Sequence, residues 1–238
     1  MGLFSEETTS IWSFEERGDW ATHKGDYPGN CSPRVVKNLI VKYTKENDVI
    51  LDQFLGSGTT AIEALLLNRK IVGIDINHKA LNIANRRLEI FKGNKDIKLG
   101  DAQNLDIKDK SIDFICTHPP YMDIIKYSKD IKDDLSLLGR KGFFIAINKV
   151  ADECYRVLKS SCKCAIIMGD IRRRGYIEPL GFNVMNIFLS RGFLLKEIII
   201  KEQHNCKSTE KWRQIAKERN FLLIQHEYIF VFEKSYFK

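Results

Sequence analysis

The run Asp52-Gln53-Phe54-Leu55-Gly56-Ser57-Gly58-Thr59-Thr60 follows the short apolar segment Val49-Ile50-Leu51 and precedes a helix-forming stretch, residues 59–68. This is a strand, a glycine turn and a helix start in succession. Glycine lacks a Cβ, so the turn is tight and a ligand can approach its backbone. Asp52 closes the strand. Working outward, Ile71–Ile74 reads as a second strand ending at Asp75, followed by a helix over 78–91. Short strands follow at Ile97–Leu99, ahead of Gly100-Asp101, and at Ile112–Cys116. Beyond them come a helix over 143–158, a strand at Cys164–Met168, a helix over 180–190, and strands at Phe193–Ile200 and Tyr228–Phe232. Repeated βα units require a mainly parallel sheet with helices on both faces, and ligands then bind at the carboxyl ends of the strands.

Upstream, Ser32-Pro33 forms a helix start, with serine as N-cap and proline at the first helical position. Val35, Val36, Leu39, Ile40 and Tyr43 follow at helical spacing. Residues 1–31 carry Trp12, Phe14, Trp20, His23 and Tyr27 without periodicity and read as an ordered arm or lid on a domain spanning 32–238. Disordered tails are poor in aromatics.

At 238 residues and 44% hydrophobic content the chain has enough apolar material for one sizeable α/β domain. Formal charge is +7, which suits a polyanionic partner without requiring one. No stretch is long and apolar enough to span a bilayer and the amino terminus lacks a secretory signal pattern, so a cytoplasmic protein without membrane contact is expected. Cys31, Cys116, Cys154, Cys162, Cys164 and Cys206 show no paired CxxC spacing, and are expected to be structural thiols, with no metal site.

By spacing alone, Gly56, Gly58 and Ala61 with an acid at Asp75 suit a nicotinamide dinucleotide as well as S-adenosylmethionine. Asp75 is placed to accept from ribose hydroxyls, and Asp101 to receive an adenine amine. A second motif lies downstream. Thr117-His118-Pro119-Pro120-Tyr121 ends the strand at Ile112–Cys116. Each proline lacks an N–H and forces the preceding residue into an extended shape, which leaves carbonyls free beside the tyrosine ring.

The two runs together resemble the S-adenosylmethionine-dependent amino-methyltransferases of DNA, whose motifs are DPFxGSGTT and Asp/Asn/Ser-Pro-Pro-Tyr. Gln53 stands where that family has proline, and His118 where it has a carboxylate, amide or hydroxyl. The resemblance runs from Ser32 through His226–Phe232. It implies a Rossmann-like methyltransferase fold with a seven-stranded sheet and an antiparallel last strand. It also implies S-adenosylmethionine as cofactor, held by Ser32, Asp52, Phe54, Gly56, Ser57, Gly58, Thr59, Thr60, Asp75 and Asp101. His118 with the Pro119 carbonyl would grip an exocyclic amine, Pro120 would shape the loop, and Tyr121 would stack on a base swung out of its helix. Thr117 resembles the form found among N4-cytosine enzymes, which points to cytosine N4 in DNA. Structured RNA and adenine N6 are the alternatives, with a non-catalytic nucleic-acid-binding relative as a third. No separate target-recognition domain is evident, so recognition would fall to a partner, a homodimer or surface cations. Candidates for nucleic-acid contact are Arg172, Arg173 and Arg174 at the sheet edge, and Lys207, Lys211, Trp212 and Arg213 in the polar stretch Gln203–Asn220. A solvated helix is the plain alternative for that stretch.

Overall fold

The structure, a computed structural model, describes residues 6–205 and 209–236. Cys206 and Lys207 lie outside the described residues. Strand β1 is Ile11–Trp12, α1 Pro33–Tyr43, β2 Val49–Asp52, α2 Thr59–Leu66, β3 Lys70–Asp75 and α3 His78–Leu88. Then come β4 Lys95–Leu99, β5 Ile112–Thr117, α4 Arg140–Val157, β6 Leu158–Met168, β7 Ile171–Arg173, β8 Tyr176–Glu178 and α5 Leu180–Ser190. Strand β9 is Phe193–Glu202, α6 Thr209–Glu218 and β10 His226–Lys234.

The main sheet has eight strands in the order β1-β9-β10-β6-β5-β2-β3-β4. Strand β10 is antiparallel to both its neighbours, β6 and β9, and the other pairs are parallel. The seven expected strands are all present. The eighth is supplied by the arm, where Ile11 and Trp12 pair with Ile200 and Lys201 on the free edge of β9. Sequence periodicity could not find it, because two residues carry no period.

Alternation along each strand sends side chains to two cores. Ile50, Phe114, Ile229 and Val231 pack with α1, α2 and α3. Leu51, Ile115, Phe230 and Phe232 pack with α4 and α5. Because β10 lies inside the sheet, Tyr228–Phe232 is apolar on both faces and reads as a continuous hydrophobic run. Cys116, Cys154 and Cys164 are buried among these residues, and burial pushes the Cys116 and Cys164 thiols well up.

Helix α4 starts at Arg140 and ends at Val157, where β6 begins at once, so the strand is longer at its amino end than the apolar run Cys164–Met168. Ser32 occupies the N-cap of α1, but its hydroxyl donates to the Arg17 carbonyl at 2.9 Å and makes no cap bond. The Val35 N–H, which a capping hydroxyl would take, donates instead to the Ser32 carbonyl at 3.1 Å. Among the described residues no helix is long and apolar enough to cross a membrane.

Candidate active site

Strands β2, β3 and β5 end side by side at Asp52, Asp75 and Thr117, and a cavity opens above their carboxyl ends. The glycine turn is fixed from below. Gly56 has a φ of +52° and donates its N–H to Asp75 Oδ2 at 2.7 Å, while Leu55 donates to the Ile74 carbonyl at 3.0 Å. Gly58, at φ +89°, would bring a Cβ to 3.2 Å from the Ala84 Cβ of α3. Gly58 therefore packs helices and does not line the cavity, whereas Asp52, Phe54, Gly56, Ser57, Thr59, Thr60, Asp75 and Asp101 do. Ser32 lines a neighbouring cavity instead.

Asp52 is buried and accepts from the Thr117 hydroxyl at 2.8 Å and the Phe54 N–H at 3.1 Å. Burial outweighs these bonds and that of Thr60, and pushes its carboxyl up to about 6. Asp75 accepts from the Asn77 N–H at 2.8 Å as well as from Gly56, and burial raises it in spite of both bonds. An ionised carboxylate has about four acceptor positions, so Asp75 keeps capacity for hydroxyls in the cavity. Asp101 accepts from the Gln103 N–H at 2.9 Å.

Two lining atoms are sealed from solvent and have no partner: Gln53 Oε1 and Thr59 Oγ1. Buried polar atoms are nearly always paired, so their placement on this wall fits a ligand that carries polar groups. Gln53, at the position of the family's proline, also donates Nε2 to Cys154 Sγ at 2.8 Å.

The arm forms the cavity's roof, but its partner across the opening was not legible in the sequence. Tyr27 of the arm stacks on Tyr127 at 5.9 Å, and both line the cavity along with Asn30 and Asp134. Gly29, at φ +69°, adopts a backbone conformation that favours glycine, and a Cβ there would press on the Tyr127 hydroxyl. Asn77 Nδ2 donates to the Tyr127 carbonyl at 2.9 Å and fastens the roof to the loop after β3.

The second cavity adjoins the first and shares Gly29, Asn30, Cys31, His118 and Tyr127 with it. Pro119 and Tyr121 line the second and Pro120 the first, so the proline pair separates the two. His118 Nε2 lies 2.7 Å from the Tyr121 hydroxyl, which donates to Glu227 Oε1 at 2.7 Å. Lys201 donates to Glu227 Oε2 at 3.0 Å. Burial lowers the His118 pKa, with Glu227 pulling it back up and Lys201 pushing it further down. Burial pushes the Glu227 carboxyl up, but His118, Lys201 and the bonds from Tyr121 and Lys201 outweigh it, and the net shift is downward. The Tyr121 ring lies against Gly169, where a Cβ would come within 2.8 Å of it. Glu227 and Lys201 escaped the sequence reading because they belong to β10 and β9, far along the chain.

The surface candidates separate. Arg172 and Arg174 share a groove with Trp212, Arg219 and Phe221. Arg172 lies 4.9 Å over the Phe221 ring and donates to the Leu222 carbonyl, and Trp212 is 50% exposed. Arg173 instead pairs with Asp123, two residues past Tyr121, and so ties the β7–β8 hairpin to the Pro-Pro-Tyr loop. Lys211 is exposed on α6, and Arg213 pairs with Glu210 at 2.6 Å. Among the described residues no cluster of His, Cys, Asp or Glu is arranged to hold a metal ion.

A doubly wound sheet with two adjoining cavities over its carboxyl edge defines a Rossmann-like methyltransferase fold. Solved structures agree. A SAM-dependent methyltransferase of Methanosarcina mazei superposes with a TM-score of 0.59 at 16% identity, covering 83% of this chain and 97% of that one. TrmN of Thermus thermophilus gives 0.58 at 17%, covering 87% and 50%. The sequence profile of the DNA methylase family, of N6/N4 type, matches residues 4–86 and 112–238, and a general methyltransferase-domain profile matches 50–132. The chain belongs to the DNA methylase family, whose cofactor is S-adenosylmethionine.

Among curated relatives, the Type II methyltransferase M2.LlaDCHI of Lactococcus lactis subsp. cremoris is 45% identical over 69 residues, 29% of this chain and 24% of that protein. A tRNA (guanine(10)-N2)-dimethyltransferase of Pyrococcus abyssi is 30% identical over 163 residues, 67% of this chain and 45% of that protein. The chain spans less than half the length of either relative.

Proposed function

We propose that the chain transfers a methyl group from S-adenosylmethionine to an exocyclic amine of a nucleic-acid base, cytosine N4 in DNA. The observation that carries this is His118, which stands at the end of β5 on the wall common to both cavities. The cofactor supplies an electrophilic methyl group on a sulfonium. Asp52, Phe54, Gly56, Asp75 and Asp101 bind it in the first cavity, with Thr59 Oγ1 and Gln53 Oε1 finding their missing partners there.

In the second cavity, His118 and the Pro119 carbonyl accept the two N–H bonds of the amine. Its lone pair, otherwise delocalised into the ring, is then directed at the methyl carbon. On receiving that methyl group, with its former bonding pair left on the sulfur, the amine would shed a proton, which His118 is placed to take or to pass to solvent. Tyr121 stacks on the base with the ring face opposite Gly169. Outside the cavities, the groove of Arg172, Arg174, Trp212 and Phe221 offers cations and π-faces to the flanking strand. The chain would act in the cytoplasm.

A structured RNA is the second reading, favoured by the longer match to the tRNA dimethyltransferase. Incubation with labelled S-adenosylmethionine and separate DNA and RNA pools, followed by nucleoside mass spectrometry, tests both. Label in N4-methylcytosine from DNA is the expected result. Label in RNA alone selects the second reading, and label in neither pool refutes both.

A further inference from the structure

We infer that Glu227, held by Lys201 and acting through Tyr121, fixes the tautomer of His118 so that Nδ1 is its acceptor. Glu227 and Lys201 are thereby positioning residues of the site. The reasoning starts at Lys201. An ammonium only donates, so Glu227 must accept from it, at 3.0 Å through Oε2. The same ammonium favours the ionised form of the Glu227 carboxylate, so Oε1 also only accepts, and the Tyr121 hydroxyl spends its single proton on it at 2.7 Å. That hydroxyl can then meet His118 Nε2, 2.7 Å away, only as an acceptor. Nε2 therefore carries the hydrogen, and the lone pair of the neutral ring falls on Nδ1. Nδ1 has no hydrogen-bond partner among the described residues and, unlike His23 Nδ1, is not sealed from solvent.

The bonds converge on the Glu227 carboxylate, from Lys201 on one side and from His118 through Tyr121 on the other. It explains how a histidine can stand where the related motif has an acid, amide or hydroxyl. A histidine free to exchange tautomers would present a donor to the amine part of the time. Here the polarity is imposed from two strands away. That His118 Nδ1 meets an amine rests on the function proposed above; the tautomer itself does not.

Glu227→Gln is the informative variant. Lys201 still demands an acceptor, so it takes the amide oxygen and turns the NH2 group toward Tyr121. The Tyr121 hydroxyl then donates to His118 Nε2, and the hydrogen moves to Nδ1. Tyr121→Phe removes the link altogether and leaves the tautomer unfixed. The test is nitrogen-15 NMR of the imidazoles above their titration, with the His118 signals identified by their loss in His118→Ser. In the unaltered chain Nδ1 is expected to be the bare nitrogen, in Glu227→Gln the protonated one, and in Tyr121→Phe an average. Protonated Nδ1 in the unaltered chain, or an identical signal in all three proteins, overturns the inference. If Glu227→Gln does not fold, the other two spectra still decide. A parallel single-turnover assay separates the two readings. Shifted tautomers with methyl transfer reduced about tenfold or more and unchanged cofactor affinity support both, while shifted tautomers with unchanged transfer uphold the tautomer and refute the amine grip.

Discussion

The two cavities share a wall but are built in opposite ways. The cofactor side is largely backbone and short-range sequence: a turn of a few residues with its Gly56 N–H tied to Asp75, and acids at consecutive strand ends. The base side is made of side chains brought from three places, with His118 and Tyr121 on one loop, Lys201 on β9 and Glu227 on β10. Geometry set by a local turn tolerates change in its side chains. Geometry set by a chain of donors and acceptors fails at any link.

The largest expected effect follows on the base side. His118→Ala should slow single-turnover methyl transfer by on the order of 10²-fold, within the range for a lost acid–base group, while cofactor still binds. His118→Ser keeps an acceptor and should retain more activity. In the unaltered chain the rate should decline on acidification, because protonating Nδ1 turns an acceptor into a donor. Burial lowers the His118 pKa, so that decline falls below the ordinary histidine range. Glu227, Lys201, Tyr121, His204, Tyr127 and Cys31 are the other titratable groups around the same cavity, and Glu227 is the one holding the pKa up. A full-rate Ala variant with an unchanged pH profile would remove His118 from the chemistry.

On the cofactor side Asp75→Ala should weaken S-adenosylmethionine binding by about 1–3 kcal/mol, the scale of a hydrogen bond to a charged group. The same substitution frees the Gly56 and Asn77 amides, so loss of thermal stability should accompany it. Calorimetry with unchanged affinity would show that the acid only braces the turn.

Asp52 yields a prediction of similar size with the opposite sign. Its folded pKa of about 6 exceeds the ordinary 3.8 of a free aspartate, so between these values the folded chain holds a proton the unfolded chain has released. This group thus favours folding as pH falls through that window and opposes it above pH 6, by up to about 3 kcal/mol. Asp52→Asn should therefore be more stable than the unaltered chain at pH 7, with the difference shrinking toward pH 4. Equal urea midpoints at both pH values would contradict this.

The smallest effects belong to the surface. Substituting Arg174 or Lys211 by Gln should flatten the salt dependence of substrate binding by about one contact each. Arg173→Gln should leave the slope nearly unchanged and instead loosen the loop that Asp123 anchors. Slopes for Arg174→Gln and Lys211→Gln equal to that of the unaltered chain would show both cations to be merely solvated.

The same contrast explains what could be read in advance. The glycine turn, the acids at strand ends and the apolar run of β10 announce themselves through spacing of a few residues. The motif places Gly58 with the cofactor, yet its packing against Ala84 depends on where α3 lies. Tyr127, Glu227 and Lys201 were invisible for a related reason. Their roles arise from strand order, with β10 inserted between β6 and β9, and no local pattern encodes that insertion. Trp20 and His23 were legible as aromatic ballast but not as partners of Glu63, to which both bond at 2.7 Å inside the α2 face.

Strand β1 carries one further consequence. By capping the outer side of β9 at Ile200 and Lys201 it covers main-chain groups that would otherwise invite pairing with a foreign strand. Removing residues 1–31 would thus do more than open the roof where Tyr27 meets Tyr127. It would also uncover the carboxyl end of β9 at Ile200 and Lys201 and leave the whole outer side of that strand unpaired at the rim of the sheet, and the truncated chain should self-associate before it can reveal what the roof does.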